Sequence, residues 1–229
     1  MACHKIKIKK RLINNNSIVY ALMACFFSYS AFSSASENNL SYSKETAQNW
    51  LIRGMYIDIK PLDSESHISS IGGKIKTPEK RIFGVEGVYF FSKKISLEIQ
   101  GGVLSRDYRV KDSKIGSFEI GTIESNSVSM TAQYHINTES ELSPYFGIGI
   151  NHAWERKVKP AEGIPAFKVG SINSLILNAG IDYRISESWF LNIGEKYILS
   201  PEYQFSGYGF NASVKMNTLI TGVGIAYLF

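Results

Sequence analysis

Catalysis and metal binding need particular side chains within reach of one another, and this chain offers few. Its two cysteines, Cys3 and Cys25, both lie in the first 35 residues. The rest of the chain therefore has no thiol nucleophile, no disulfide framework and no cysteine-based metal site. Beyond residue 35 the histidines are His67, His135 and His152, and no spacing among them puts two ligands on one strand face. His152 has no serine beside it to act as a nucleophile. Gly101-Gly102 and Gly222/Gly224 lack the following helix and the Lys-Ser/Thr of a phosphate loop. The expectation is a protein with no catalytic residue, no metal and no cofactor, and hence not an enzyme. The residues with most to offer are charged ones on otherwise small or apolar faces: Arg53, Glu86, Glu98, Asp182 and Arg184. Such a set either selects solutes at a polar constriction or pairs internally to seal a narrow space.

What places these charges is a repeating alternation of period two, the mark of a strand with two unlike faces. Over residues 144–154, Phe146, Ile148, Ile150, His152 and Trp154 share one face. Tyr145, Gly147, Gly149, Asn151 and Ala153 share the other. The same pattern recurs over residues 95–105, 127–136, 174–184 and 218–229, and less cleanly over 50–60, 82–91 and 189–199. That predicts eight strands of about the 9–11 residues that a tilted membrane strand requires. Pro61, Pro78, Pro160, Pro165 and Pro201 fall between these segments and Pro144 opens one, as expected of a residue without a ladder N–H.

Alternation alone does not say which face is inside. A soluble barrel buries its bulky face, whereas a membrane barrel turns that face to lipid. Three features favour the second arrangement. Short joins at 92–94, 137–143 and 185–188 alternate with long connections at 61–81, 106–126, 155–173 and 200–215, the rhythm of short periplasmic turns and longer extracellular loops. Aromatic residues gather at strand ends, with Trp50, Trp189, Tyr227 and Phe229 at the short-turn rim and Trp154 near the other. Tyr and Trp prefer the membrane interface because one end is apolar and the other hydrogen-bonds. The small, polar face also carries too many charges to fill a soluble core. On the first strand, Leu51, Arg53, Met55, Ile57 and Ile59 are expected to face inward, as are Ile82, Val88, Phe90 and Leu104.

The predicted architecture is thus all-β: an eight-stranded antiparallel up-and-down transmembrane β-barrel over residues 50–229. Residues 36–49 read as a periplasmic lead-in, and residues 1–35 as a secretory signal peptide. In that leader a basic stretch ends at Arg11, Ile18 to Phe32 is almost wholly apolar, and Ser33-Ser34-Ala35 supplies small residues for a cut. Leu22-Met23-Ala24-Cys25 is a weaker, lipoprotein-like alternative. The formal charge of +5 belongs to Lys5, Lys7, Lys9, Lys10 and Arg11; residues 1–35 contain no acid, and the remainder is balanced. Composition therefore argues against a nucleic-acid partner.

The chain ends on Phe229, with Tyr227, Ile225 and Val223 at alternate positions before it. This resembles the C-terminal signature of bacterial outer-membrane barrels. Trp50-Leu51-Ile52-Arg53-Gly54 resembles the opening strand of the OmpW family, and Ser143-Pro144-Tyr145-Phe146-Gly147-Ile148-Gly149-Ile150-Asn151 resembles the segment entering its fifth strand. Where that family carries an apolar, proline-containing segment near the end of the third strand, this chain has Gly101-Gly102-Val103-Leu104-Ser105-Arg106. The resemblance implies a narrow barrel in the outer membrane of a Gram-negative bacterium. Its interior would be partly hydrophobic and would pass or bind small apolar molecules. The expected partners are outer-membrane lipid and lipopolysaccharide, the barrel-assembly machinery through Phe229, and a small hydrophobic ligand. A generic barrel of the OmpA or opacity type, a surface receptor or adhesin working through its long loops, and a purely structural membrane protein remain the alternatives.

Overall fold

The computed structural model describes residues 49–229 except 69, 70, 137, 208 and 209. The expected leader and residues 36–48 of the lead-in lie outside the described residues. Eleven strands occur among those described: β1 (Trp50–Ile68), β2 (Lys74–Lys76), β3 (Lys80–Phe90), β4 (Ile95–Ser113), β5 (Gly116–His135), β6 (Leu142–Pro160), β7 (Phe167–Val169), β8 (Ile172–Arg184), β9 (Trp189–Leu199), β10 (Tyr203–Gly207) and β11 (Phe210–Leu228). Eight of them, β1, β3, β4, β5, β6, β8, β9 and β11, pair antiparallel in chain order, and β11 returns to pair with β1. The sheet closes into a barrel from Leu51↔Leu228 up to Ile68↔Ala212. Closure removes the exposed strand edges that a bilayer would penalise.

Between the short-turn rim and the middle of the barrel, the inward faces are those expected. Leu51, Arg53, Met55, Ile57 and Ile59 are buried, while Trp50, Ile52 and Tyr56 between them are exposed. Around the outside, Val85, Ile99, Val128, Met130, Ile148, Ile150, Ile193 and Val223 are all exposed. So large an apolar surface suits lipid and not water. The ion pair Asp58–Arg81 (3.5 Å) marks the top of this band on β1 and β3. One residue breaks it: Glu195 shares the outward side of β9 with Ile193 and Tyr197, and accepts a 3.4 Å hydrogen bond from the Thr221 hydroxyl. It lies six residues above the rim residue Trp189. At about 3.3 Å per residue and a tilt near 40°, that is about 15 Å into an apolar band about 25 Å tall.

The connections expected to be loops are largely strand. β1, β4, β5, β6 and β11 run on past the apolar band to lengths of 19 or 20 residues, and β2, β7 and β10 add to them. The physical reason is a reversal of polarity. Tyr108, Val110, Val214 and Met216 point inward and are buried, while Asp107, Arg109 and Lys111 point outward. With Ile68, Ile75, Ile120, Ile123, Phe167, Phe205 and Ala212 they form one apolar cluster. Above the membrane the barrel is therefore built like a soluble protein, with its greasy side in. A β-bulge at Gly121 lets both Ile120 and Ile123 join this core. Gly121 has φ 139°, and a Cβ there would collide with the Lys159 carbonyl oxygen, so glycine is required. Pro61, expected to end the first strand, sits within β1 beside the irregular register between Pro61 and Ser64, a place where a missing N–H is tolerated.

Candidate functional site: a floored and roofed lumen

The interior is layered. At the short-turn end Leu51, Val88, Phe190 and Ala226 pack together, with Phe90 and Leu228 against them. Directly above lies a buried ionic layer. Arg53 of β1 reaches Asp182 of β8 at 2.9 Å, Glu98 of β4 at 3.5 Å and Glu86 of β3 at 3.7 Å. Lys196 of β9 sits 2.6 Å from both Glu86 and Glu98, and donates to the Gln100 side-chain carbonyl at 3.1 Å. Gln133 donates to Glu98 (2.8 Å), while Asn192 donates to Asp182 (2.7 Å) and to the Tyr145 hydroxyl (3.0 Å). The Arg53 guanidinium also lies 5.0 Å from the centre of the Tyr145 ring, a cation–π distance. Arg53 is wholly buried. A group so placed is stable only when its neighbours carry the opposite charge and fill its remaining hydrogen bonds.

Of the five charges singled out from the sequence, the fold brings Arg53, Glu86, Glu98 and Asp182 together. Arg184 stays apart. It keeps the inward parity, but it is the last residue of β8 and is exposed at the rim. There it donates to the Thr138 carbonyl (3.0 Å) and lies 5.8 Å from the centre of the Phe190 ring. Its place in the ionic layer is taken by Lys196, which sequence reasoning missed. Counting in twos from Phe190 through Asn192 and Gly194 would have found it.

The histidines are scattered. His135 is buried just below the ionic layer, 3.0 Å from the Ser96 hydroxyl and 4.9 Å from the Phe90 ring. His152 is on the outer face, stacked on Trp154 at 5.3 Å. The side chain of His67 lies outside the described residues. The described residues contain no group of three His, Cys, Asp or Glu side chains that could hold a metal. The short-turn rim carries a chain of touching rings: Trp189–Tyr227 (4.9 Å), Tyr227–Phe229 (4.8 Å), Trp50–Tyr89 (5.0 Å) and Tyr89–Phe91 (5.1 Å). The Phe229 amide donates to the Trp50 carbonyl at 2.7 Å, joining the two halves of the girdle.

Above the ionic floor lies a cavity of about 310 Å³, at the small end for a ligand site. Ile57, Ile59, Ile82, Leu104 and Ile220 make one wall, and Ser125, Ser127, Ser129, Asn151 and Ser174 the other. Tyr108, Ile123 and Met216 both line the cavity and belong to the apolar cluster that roofs it. The side wall is incomplete. β3 pairs with β4 only from Glu86↔Gln100 to Phe90↔Ser96. Above that, residues 80–85 of β3 pair with β1 alone, and residues 101–108 of β4 with β5 alone. Higher still, β2 covers β4 over Lys74↔Lys111 to Lys76↔Arg109. The result is a window. Phe83 and Val103, on the outer face, line the same cavity as the inward residues, and Phe83 is 84% exposed. Unpaired backbone at membrane depth is costly against lipid and tolerated where it borders a cavity. Gly84, Gly101 and Gly102 add no side chain of their own to the window, and the Ile57 δ-methyl occupies the space a Cβ on Gly84 would take.

Comparison with known proteins agrees with this geometry. The family model described as OmpW family matches residues 46–229. Outer membrane protein W of Vibrio cholerae is 21% identical over 192 residues, covering 79% of this chain and 88% of its own. Among solved structures, the outer membrane protein OprG of Pseudomonas aeruginosa superposes with a TM-score of 0.72 at 20% identity, covering 79% of this chain and 95% of that one. Outer membrane protein W of E. coli gives 0.56 at 17% identity, covering 79% and 97%. At these identities the structural likeness is one of fold.

Proposed function

The chain belongs to the OmpW family of outer-membrane barrels, and on that premise we propose that it is a binding conduit for small hydrophobic solutes whose lower exit is sideways. The observation that carries this reading is the window between β3 and β4, set directly above a sealed floor. Movement straight down the axis meets the Arg53–Glu86–Glu98–Asp182–Lys196 layer. An apolar solute would have to displace paired, desolvated charges there, at a cost of several kcal/mol. The window instead opens on the level of Phe83, Val85 and Val103, within the lipid-facing band, where such a solute gains about 25 cal/mol per Å² of surface removed from water. In this reading a solute enters from above by parting the apolar cluster that roofs the cavity. In this reading no residue does covalent chemistry, the ionic layer is structural, and Phe229 serves recognition by the assembly machinery.

Closing the window tests the reading. Val85 and Gly101 are the first positions that would pair if the β3–β4 ladder continued. The only native cysteines are Cys3 and Cys25, so the double variant Val85→Cys/Gly101→Cys can be cross-linked cleanly. Cells expressing the oxidised variant should take up naphthalene at the rate of cells lacking the protein, and reduction should restore uptake. Equal uptake by a verified cross-linked and a reduced sample would exclude lateral exit.

A further inference from the structure

We propose that the cavity prefers an amphipathic anion held by its head, a medium-chain carboxylate, over a neutral solute of the same length, with Arg106 as the anchor. This rests on the conduit reading and names its substrate class. Arg106 follows Leu104 on the inward face of β4 and lines the cavity. Its Nε is buried without a hydrogen-bond partner, and no carboxylate among the described residues pairs with it. The nearby acids are engaged elsewhere: Asp107 accepts from Thr122 (2.7 Å), Glu119 pairs with Arg109 (3.2 Å), Glu124 with Lys159 (3.7 Å), and Glu155 accepts the Val169 amide (2.6 Å). Tyr203 also lines the cavity, but burial, with Tyr108 beside it, pushes its phenol well above the ordinary value. It stays neutral and supplies no counter-charge.

A guanidinium whose Nε has no hydrogen-bond partner and which no carboxylate pairs with among the described residues, at the side of a small half-apolar cavity, suits a carboxylate's oxygens. Arg106 stands near the upper end of the window, where β4 has lost β3 as a neighbour. Below it the Ile57, Ile82 and Leu104 side chains offer a path for a short alkyl tail down to the opening at Gly101 and Gly102. The head-up, tail-down pose is also the one a carboxylate amphiphile takes in the outer leaflet. Such a ligand would leave tail first without turning over. The serine wall opposite can hydrogen-bond the head or the water it carries.

Photoreactive octanoate and 1-octanol, each with a diazirine at the tail end, test this on the full chain refolded in lipid vesicles. The octanoate probe should label the lumen faces of β1, β3 and β4 roughly tenfold more than the octanol probe, the ratio expected of one charge-assisted hydrogen bond. Arg106→Gln should bring octanoate down to the octanol level, Arg106→Lys should keep most of the excess, and octanol labelling should not change. Folding of each variant is read from heat-modifiable gel mobility. As a second measure on the unaltered protein, lowering the pH from about 7 to about 4 neutralises the probe's carboxyl and not the guanidinium, and should abolish the excess. Equal labelling by both probes, or an excess that survives Arg106→Gln and the pH drop, would overturn the anion assignment and leave the conduit standing. Absence of lumen labelling by either probe would remove both.

Discussion

Replacing Lys196 by methionine tests whether the buried ionic layer is a true seal. The ammonium touches Glu86 and Glu98, each at 2.6 Å, and among the described residues Arg53 is the one other cation in the layer. Without Lys196, Arg53 alone faces three carboxylates, two of them with a lost partner. Removing one member of a buried pair costs about 3–5 kcal/mol. The Lys196 side chain is 10% exposed against 0% for Arg53, so some relief by water puts Lys196→Met near the lower end, about 3 kcal/mol. That is more than a hundredfold in the folded-to-unfolded ratio. Urea titration in lipid vesicles, followed by tryptophan fluorescence and by heat-modifiable mobility, reads it as a lower midpoint at unchanged slope. The double variant Lys196→Met/Glu98→Gln removes one orphaned charge and should recover at least about 1 kcal/mol of the loss. A single variant within about 0.5 kcal/mol of the parent would mean that the carboxylates are hydrated. The floor would then be permeable, and the case for a sideways exit would fall with it.

Other sites give contrasting outcomes. Arg184→Ala, at the exposed rim, should change the unfolding free energy by no more than about 0.5 kcal/mol and leave planar-bilayer conductance as it was; a change in conductance would put Arg184 on the permeation path. Gly121→Val forces a Cβ onto the Lys159 carbonyl at φ 139° and should loosen the outer ends of β4 and β5 by about 1–3 kcal/mol. Limited proteolysis should then cut near residues 113–122 while the gel mobility of the folded barrel persists. Glu195→Leu places a methyl-bearing chain where a carboxyl now faces lipid, and should raise the urea midpoint, with a gain of up to about 2 kcal/mol. A lower midpoint would show that the Glu195–Thr221 contact has work to do at that face.

The parts of this molecule that obey one simple rule were legible in the chain. The period of two located all eight wall strands, and bulky-out, small-in faces oriented them. On β1 both faces are bulky, and the period of two puts Leu51, Met55, Ile57 and Ile59 on the same inward side as Arg53. Three features were hidden because they depend on a change of rule or on partners far away. Strand extension past the bilayer reverses the faces: Tyr108, Val110 and Val214 turn in, so a search for greasy-outside segments stops at residue 105. The window is a missing set of hydrogen bonds between β3 and β4, and the side chains of both strands alternate normally across it. Glu195 blurred the pattern of β9 by standing on the apolar face, and so hid its neighbour Lys196. Arg184 shows the converse limit, since parity gives a residue's face but not its height.

The ionic layer draws on β1, β3, β4, β8 and β9, and this bears on how the chain finds its register. Sliding a strand by two residues preserves which side chains face fat and which face the axis, so hydrophobicity alone tolerates the error. The same slip would carry Lys196 about 6.6 Å away from its carboxylates, stranding charge on both sides. Glu86 and Glu98 belong to the two wall strands that follow β1 in the chain, whereas Asp182 and Lys196 belong to β8 and β9, more than a hundred residues from Arg53. Pairing of β11 with β1 closes the cylinder around this layer, so the charges fit one alignment and a mis-threaded cylinder would be left electrically incomplete.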